Sequence, residues 1–264
     1  MGDILDEIVA HKQKEVAKYK EELSQVFLES RVEILHRSEV VSMKLALTNA
    51  TTGVIAEVKR KSPSKGWIAR EVSPEKIAYS YQKNGATALS ILTDSEYFGG
   101  SNAHIRMARQ EKVYIPILYK NFIIDEYQIY QAREYGASAI LLIAACLSQD
   151  ECRHFIEIAH SLKMEVLMEI HSEEELEYSV LGADMCGINN RNLGTFETDV
   201  QNSVRLASML PPEMVKVSES GISKPETVLM LRGLGFRGFL IGENFMREPD
   251  PALALQQFIA QLKQ

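Results

Sequence analysis

Residues 215–242 read VKVSESGISKPETVLMLRGLGFRGFLIG. The stretch opens with a short apolar run at 215–219 and closes with another at 238–242. Between them, Lys224-Pro225-Glu226 sets a proline at a first helical position, where its missing N–H loses no hydrogen bond. Gly235 follows the helical stretch as a C-cap glycine does. Strand, helix and strand in this order predict a β-α-β unit, because parallel neighbours need a crossover and a helix is its usual form.

The same unit recurs towards the N-terminus. Apolar runs occupy residues 53–58, 88–92, 115–119, 139–143, 166–169 and 185–189, which with the two above makes eight. They are short and continuous, as parallel strands covered on both faces are. Ser73-Pro74-Glu75 repeats the proline start, Asp125, Ser148, Ser172 and Asp199 are candidate N-caps, and Gly85, Gly136 and Gly182 are candidate C-caps. Eight β-α units in one chain of 264 residues favour an α/β fold of the (β/α)8 TIM-barrel type. A doubly wound open sheet is the alternative, but no GxGxxG turn follows the first run. Before the barrel, Ile4, Ile8 and Val9 recur at helical spacing. The expected organisation is one barrel domain over residues 1–264, with residues 1–50 as an N-terminal helical extension.

The composition suits a globular protein: 45% of residues are hydrophobic and 25% charged. Twenty-nine basic against 36 acidic residues leave a net charge of −7, which argues against a nucleic-acid partner. The N-terminus lacks an apolar signal core, and the longest apolar stretch, 139–147, is far short of the ~20 residues that span a bilayer. No membrane association is expected. Cys146, Cys152 and Cys186 form no CxxC pair and read as buried free thiols of a reducing cytoplasm. A cytoplasmic monomer or weak homo-oligomer is the expectation.

In such barrels the site lies at the C-terminal ends of the strands. Here the apolar runs end in Glu57, Lys59, Lys120, Glu169, Asn189 and Glu219. One strand-end charge is as readily an ion pair facing solvent; several at the same end form a converging set of acids and bases. Side-chain alternation places Ile55 with Glu57 and Lys59, Leu118 with Lys120, Leu167 with Glu169, and Val217 with Glu219. If the apolar partners fill the barrel, the charges crown it. Ser220-Gly221 follows the seventh run and Gly242-Glu243 the eighth, where such barrels often bind phosphate through backbone N–H groups. Lys61 and Ser62 after the first run complete that candidate cage, within a Lys59-Arg60-Lys61 loop read as gripping anions. Phe98, Phe122 and Leu193 lie beyond strand ends as an apolar wall for a ring-shaped ligand. The six histidines show no metal-ligand spacing, and His171, two residues after Glu169, reads as structural. Residues 62–72, with Lys65 and Gly66, form a candidate lid.

Together these segments resemble a known family. EVKRKSPSKG, ILTDSEYFGGS, LYKNFIIDEYQI, MEIHSEEELE, GINNRNL, VSESGI and LIGENFMR occur in order across the chain and look like indole-3-glycerol phosphate synthase; ILDEIVAHKQKEV is similar to that family's segment before the barrel. The resemblance implies a carboxy-lyase of tryptophan biosynthesis that needs neither metal nor organic cofactor. Its phosphorylated substrate would be 1-(2-carboxyphenylamino)-1-deoxyribulose 5-phosphate, closed to an indole with loss of CO2 and water. It implies Lys120 as general acid and Lys59 as carboxylate binder and acid of the dehydration. Glu169 would be the base that removes the ring-carbon proton, and Glu57 would orient Lys59. Asn189, Arg191, Glu219 and Ser220 would position substrate, with Pro63, Phe98, Phe122, Leu141 and Leu193 around its ring. Lys61, Ser62, Gly221, Gly242 and Glu243 would hold the phosphate. Which lysine serves which step stays open.

Two positions depart from the family's pattern. Asn121 stands where Asp is common after the catalytic lysine, and Tyr119 where Arg or Met is common before it. Asn121 removes a possible charge partner of Lys120, which either lowers that lysine's pKa or alters loop packing. Another phosphate-binding barrel enzyme, a sugar-phosphate isomerase or a Schiff-base aldolase, is the alternative activity. A non-catalytic phosphate-binding regulator would leave the charged set idle.

Overall fold

A computed structural model describes residues 4–35, 39–192 and 194–263, so His36 and Leu193 lie outside the described residues. Eight parallel strands close into a barrel: β1 (Val54–Val58), β2 (Ala88–Leu92), β3 (Ile117–Lys120), β4 (Ala139–Ile143), β5 (Glu165–Ile170), β6 (Met185–Asn189), β7 (Val215–Glu219) and β8 (Phe236–Ile241). Each pairs with the next, and β8 returns to β1 with Val54 opposite Phe239. The helices are α1 (Ile4–Glu22), α2 (Gln25–Leu35), α3 (Met43–Asn49), α4 (Pro74–Lys83), α5 (Ala103–Gln110), α6 (Glu126–Tyr135), α7 (Gln149–Ser161), α8 (Gln201–Leu206), α9 (Pro225–Gly233), α10 (Glu243–Met246) and α11 (Pro251–Leu262).

The local signals act as their chemistry predicts, with exceptions. Asp125 accepts from the Tyr127 N–H at the start of α6, and Ser148 with Glu151 forms a reciprocal capping box on α7. Gly136 ends α6 in the left-handed region, at φ 94°. Ser172 makes no capping bond, and the crossover after β5 is a 3-10 helix, Glu173–Val180, rather than an α-helix. β3 begins two residues later than its apolar run, after Pro116, which has no N–H to give a ladder. Cys152 and Cys186 are buried, whereas Cys146 is half-buried.

The inner layer is the one that alternation predicts. Ile55, Leu118, Leu167 and Val217 meet inside the barrel with Ala139, Leu141, Met185 and Leu240. The floor comes from α3, whose Met43 and Leu47 are fully buried in that layer. Glu165 at the start of β5 accepts from the N–H groups of Met43 (2.7 Å) and Lys44 (2.8 Å), a carboxylate at the positive end of the helix. Outside, α2 packs on α6. At the opposite end α1 crosses the barrel mouth and is pinned by Lys12, buried against Asp94 at 2.7 Å with Glu15 alongside. No described helix is long and apolar enough to cross a membrane.

Candidate active site

A cavity of about 380 Å³ opens at the C-terminal ends of the strands. Its centre is Lys120, carried by the last residue of β3. The ammonium donates to Glu169 Oε2 on β5 at 2.8 Å and to Glu219 Oε2 on β7 at 2.7 Å. Each of the three side chains continues an alternation whose previous inward member is an apolar barrel residue, so register alone brings them together. Gly187 makes room for the pair: a Cβ there would lie 2.3 Å from Glu219 Oε1.

Burial by itself would lower the Lys120 pKa, but Glu169, Glu219 and Glu57 outweigh it and hold the amine protonated. Glu169 is also buried, which pushes it up, yet Lys120 and His171 hold it well below the usual carboxylate range. Glu219 goes the other way. Burial, reinforced by the neighbouring Glu169, exceeds the pull of Lys120 and raises it to about 7. Two carboxylates on one ammonium are thus driven apart in acidity, the arrangement that separates acid and base roles.

A second pair sits at the end of β1. Lys59 Nζ lies 2.9 Å from Glu57 Oε1, and Ser90 Oγ donates to Glu57 Oε2 at 3.3 Å. Gly242 passes close beside this carboxylate; a Cβ there would be 2.5 Å from Glu57 Oε1. Asn189 on β6 donates to Glu169 Oε1 at 3.1 Å and accepts from the Arg191 N–H. Arg191 leans over the rim, 4.0 Å from Glu243 Oε2. Among the described residues, no group of three or more His, Cys, Asp or Glu is arranged to hold a metal ion.

One wall of the cavity suits an anion. Ser220 and Gly221 both have left-handed backbone, φ 67° and 76°. Gly221 is required there twice over, because a Cβ would also strike Thr198 Cγ2 at 2.7 Å. Gly242 precedes α10, whose first N–H groups have no acceptor within the helix. Ser62 lines the same cavity, its hydroxyl buried without a hydrogen-bond partner. Glu243 lines it too, with its carboxylate turned to Lys65 and held below the usual range against burial by Lys65, Lys59 and Arg191.

The apolar wall combines Pro63, Phe98, Phe122 and Leu141, with the Phe98 and Phe122 rings 6.0 Å apart. Leu193 lies outside the described residues. Lys61 does not line the cavity. Its ammonium donates to the Glu96 carbonyl at 2.6 Å, while Arg60 reaches Gly99 and Arg70, and both cations flank Trp67. Of these three cations, Lys59 lines the cavity and Arg60 and Lys61 are engaged outside it. Strand alternation stops at Val58, and the chain turns into a hairpin pairing Lys61–Ser62 with Gly66–Trp67, which brings Ser62 and Pro63 to the cavity beside Lys59 and leaves Arg60 and Lys61 outside it. That hairpin occupies the candidate lid segment and reaches across the mouth through Lys65 and Glu243.

A family model described as indole-3-glycerol phosphate synthase matches residues 5–258. A Bacteroides thetaiotaomicron protein of that name is 56% identical over 259 residues, 98% of each chain. Another, from Polaromonas sp., is 42% identical over 260 residues, 97% of this chain and 98% of its own. The chain belongs to the indole-3-glycerol phosphate synthase family. A solved 3-hexulose-6-phosphate synthase from Salmonella typhimurium superposes with a TM-score of 0.62 at 12% identity, over 80% of this chain and 99% of that one. A chain of the Pyrococcus furiosus tryptophan synthase complex does so with a TM-score of 0.60 at 13% identity, over 80% and 98%. Those two likenesses speak for the barrel alone.

The two departures from the synthase family's pattern prove to be one unit. Asn121 donates to Thr93 Oγ1 at 2.8 Å and to Tyr119 Oη at 3.2 Å, and the Tyr119 hydroxyl donates to Asn102 at 2.8 Å. Asn121 thus braces the β2 and β3 loops, and Lys120 finds its charge partners on β5 and β7 instead. Asn121 acts in the packing of these loops, while Glu169, Glu219 and Glu57 keep the Lys120 amine charged. Among the cavity residues that the sequence did not point to are Ile4, Leu5 and Ile8 of α1. Their helical spacing was visible, but the surface that would cover them was not. Phe196, Thr198 and Arg247 also line the cavity from loops with no strand-end signal.

Proposed function

We propose that the chain closes 1-(2-carboxyphenylamino)-1-deoxyribulose 5-phosphate to indole-3-glycerol phosphate. The observation that carries this reading is Lys120, a buried ammonium between two carboxylates, set between an apolar wall and glycine-lined backbone suited to a phosphate.

In the first step the ring carbon bearing the carboxylate attacks the ketone carbon. The ketone oxygen gains negative charge, and Lys120 stabilises it and delivers a proton. The ring nitrogen carries the resulting positive charge. CO2 then leaves, and the electron pair of the broken carbon–carbon bond restores the aromatic ring. In the dehydration, Lys59 protonates the departing hydroxyl, and Glu169 takes a proton from the methylene carbon beside the nitrogen. That proton has a short way back to the neutral Lys120, because the two groups are hydrogen-bonded at 2.8 Å. Glu57 orients Lys59, and Asn189 aims Glu169. Asn189, Arg191, Glu219 and Ser220 position substrate, Pro63, Phe98, Phe122 and Leu141 enclose the ring, and Ser62, Gly221, Gly242 and the Glu243 N–H hold the phosphate. Lys61 takes part in that grip only by leaving the Glu96 carbonyl.

The aldolase alternative needs a neutral amine to attack a carbonyl. The charge environment of Lys120 opposes that state. Mixing purified protein with the carboxyphenylamino ribulose phosphate and following indole fluorescence tests the reading. Product should accumulate without added metal or cofactor; no indole product would refute it, and a borohydride-trapped adduct on Lys120 would favour the aldolase.

A further inference from the structure

His171 stands directly behind Glu169, outside the cavity lining. Its Nε2 lies 3.2 Å from Glu169 Oε1, and its Nδ1 lies 3.4 Å from Glu175 Oε2 on the 3-10 helix. The same Glu175 oxygen accepts from the His171 backbone N–H at 2.6 Å and so holds the chain, whereas the two ring nitrogens meet the carboxylates as charge neighbours without an aligned hydrogen bond. Asn202 on α8 donates to the His171 carbonyl at 2.9 Å and to the Asn189 carbonyl at 3.1 Å, locking the ends of β5 and β6 together. The ring is almost wholly enclosed, with 12% of its surface exposed.

We propose that His171 is a positioning residue for the base, an imidazolium flanked by Glu169 and Glu175 that keeps Glu169 ionised after Lys120 has given up its proton. The inference rests on the reaction proposed above. Glu169 has two cations as neighbours, and that reaction discharges one of them. Once Lys120 is a neutral amine, a buried carboxylate with no other cation would take up a proton before the dehydration needs it as a base. His171 is not consumed by any step, so it supplies the lasting charge. Its own charged state is supported from both sides: burial opposes it, but Glu169 and Glu175 outweigh burial and raise its pKa to about 10.

The charged groups around this unit are few. Lys120 of β3 and Glu219 of β7 both face Glu169 directly, and Glu57 of β1 acts on Lys120. Glu175 faces His171 from the 3-10 helix; Arg205 of α8 pairs with Glu173 instead, and Asn189 of β6 is neutral.

The test uses the full chain with His171→Asn and Glu175→Gln, and Glu169→Gln to assign signals. In the free protein, the 13C carboxyl resonance of Glu169 should titrate roughly one pH unit higher in His171→Asn, and by less in Glu175→Gln. In turnover, kcat should fall roughly tenfold with KM within about twofold, and the acid limb of the kcat profile should move up in the same order. Glu175→Gln keeps an acceptor for the His171 backbone N–H, so it carries the test if His171→Asn does not fold. An unmoved Glu169 titration would overturn the proposal, as would a change in KM alone. The carboxyl titration needs no activity, so absence of turnover in the wild type would refute the proposed reaction separately.

Discussion

Lys12 and Asp94, 82 residues apart, form an ion pair at 2.7 Å with both side chains essentially excluded from solvent. Lys12 belongs to α1, whose Ile4, Leu5 and Ile8 line the cavity; Asp94 begins the loop that carries Phe98 into it. Asp94 also accepts from the Tyr97 N–H at 2.7 Å, so the pair fixes the helix and the loop with one carboxylate.

Removing one partner of such a pair strands a buried charge. Lys12→Met should therefore destabilise the protein by about 3–5 kcal/mol in denaturant unfolding. Adding Asp94→Asn, which keeps an acceptor for the Tyr97 N–H, should recover part of that loss. Equal stability of wild type and Lys12→Met would contradict the buried latch.

Lys120→Met should leave Glu169 and Glu219 facing each other without the ammonium between them, and remove the acid. Under the proposed reaction, kcat/KM should drop by roughly 10²–10⁴, measured by product fluorescence. Near-wild-type turnover would transfer the acid role elsewhere.

Gly242→Ala tests close packing rather than charge. The new Cβ would lie 2.5 Å from Glu57 Oε1 and 2.9 Å from Glu57 Cβ, on a side chain anchored in β1. Displacement of Glu57 and of the backbone next to it should weaken competitive inhibition by inorganic phosphate and lower kcat/KM by roughly tenfold or more. An unchanged phosphate inhibition constant would remove Gly242 from the cradle.

Glu219 makes stability depend on pH with an unusual sign. Its folded pKa, about 7, lies above the ordinary carboxylate value. Its contribution is fully present below the unfolded pKa and is lost as pH rises through 7. Glu169 has the opposite sign: its folded pKa is depressed, so its contribution is present above the unfolded pKa and lost as pH falls through the folded one. Glu219→Gln should thus gain stability relative to wild type, on the order of 1–3 kcal/mol, as pH rises from about 4.5 to 7. Denaturation at a series of pH values measures it, and a pH-independent difference would contradict the raised pKa.

Much of the site was legible because strand alternation is a short-range rule. Ile55–Glu57, Leu118–Lys120, Leu167–Glu169 and Val217–Glu219 each needed only a period of two and the knowledge of which end bears function. The position of Lys61 was beyond that rule, which holds only while the chain is a strand, and β1 stops at Val58. His171 read as a structural histidine because its role depends on Glu175, four residues on, where the chain forms a 3-10 helix rather than the expected α-helix.

The amino-acid sequence by itself determined the eight β-α units, the apolar filling of the barrel and the end at which the charges gather, since periodicity, proline starts and glycine stops are local properties of the chain. Only the tertiary structure decided the partners. The salt-bridged trio of Lys120, Glu169 and Glu219, the floor made by α3, the closure of the mouth by α1 through Lys12 and Asp94, and the joining of Tyr119 to Asn121 all depend on distances of a few ångströms. Closing the sheet sets those distances, because it brings residues such as Lys120 and Glu219, 99 positions apart, around one axis and excludes the water that would otherwise screen them.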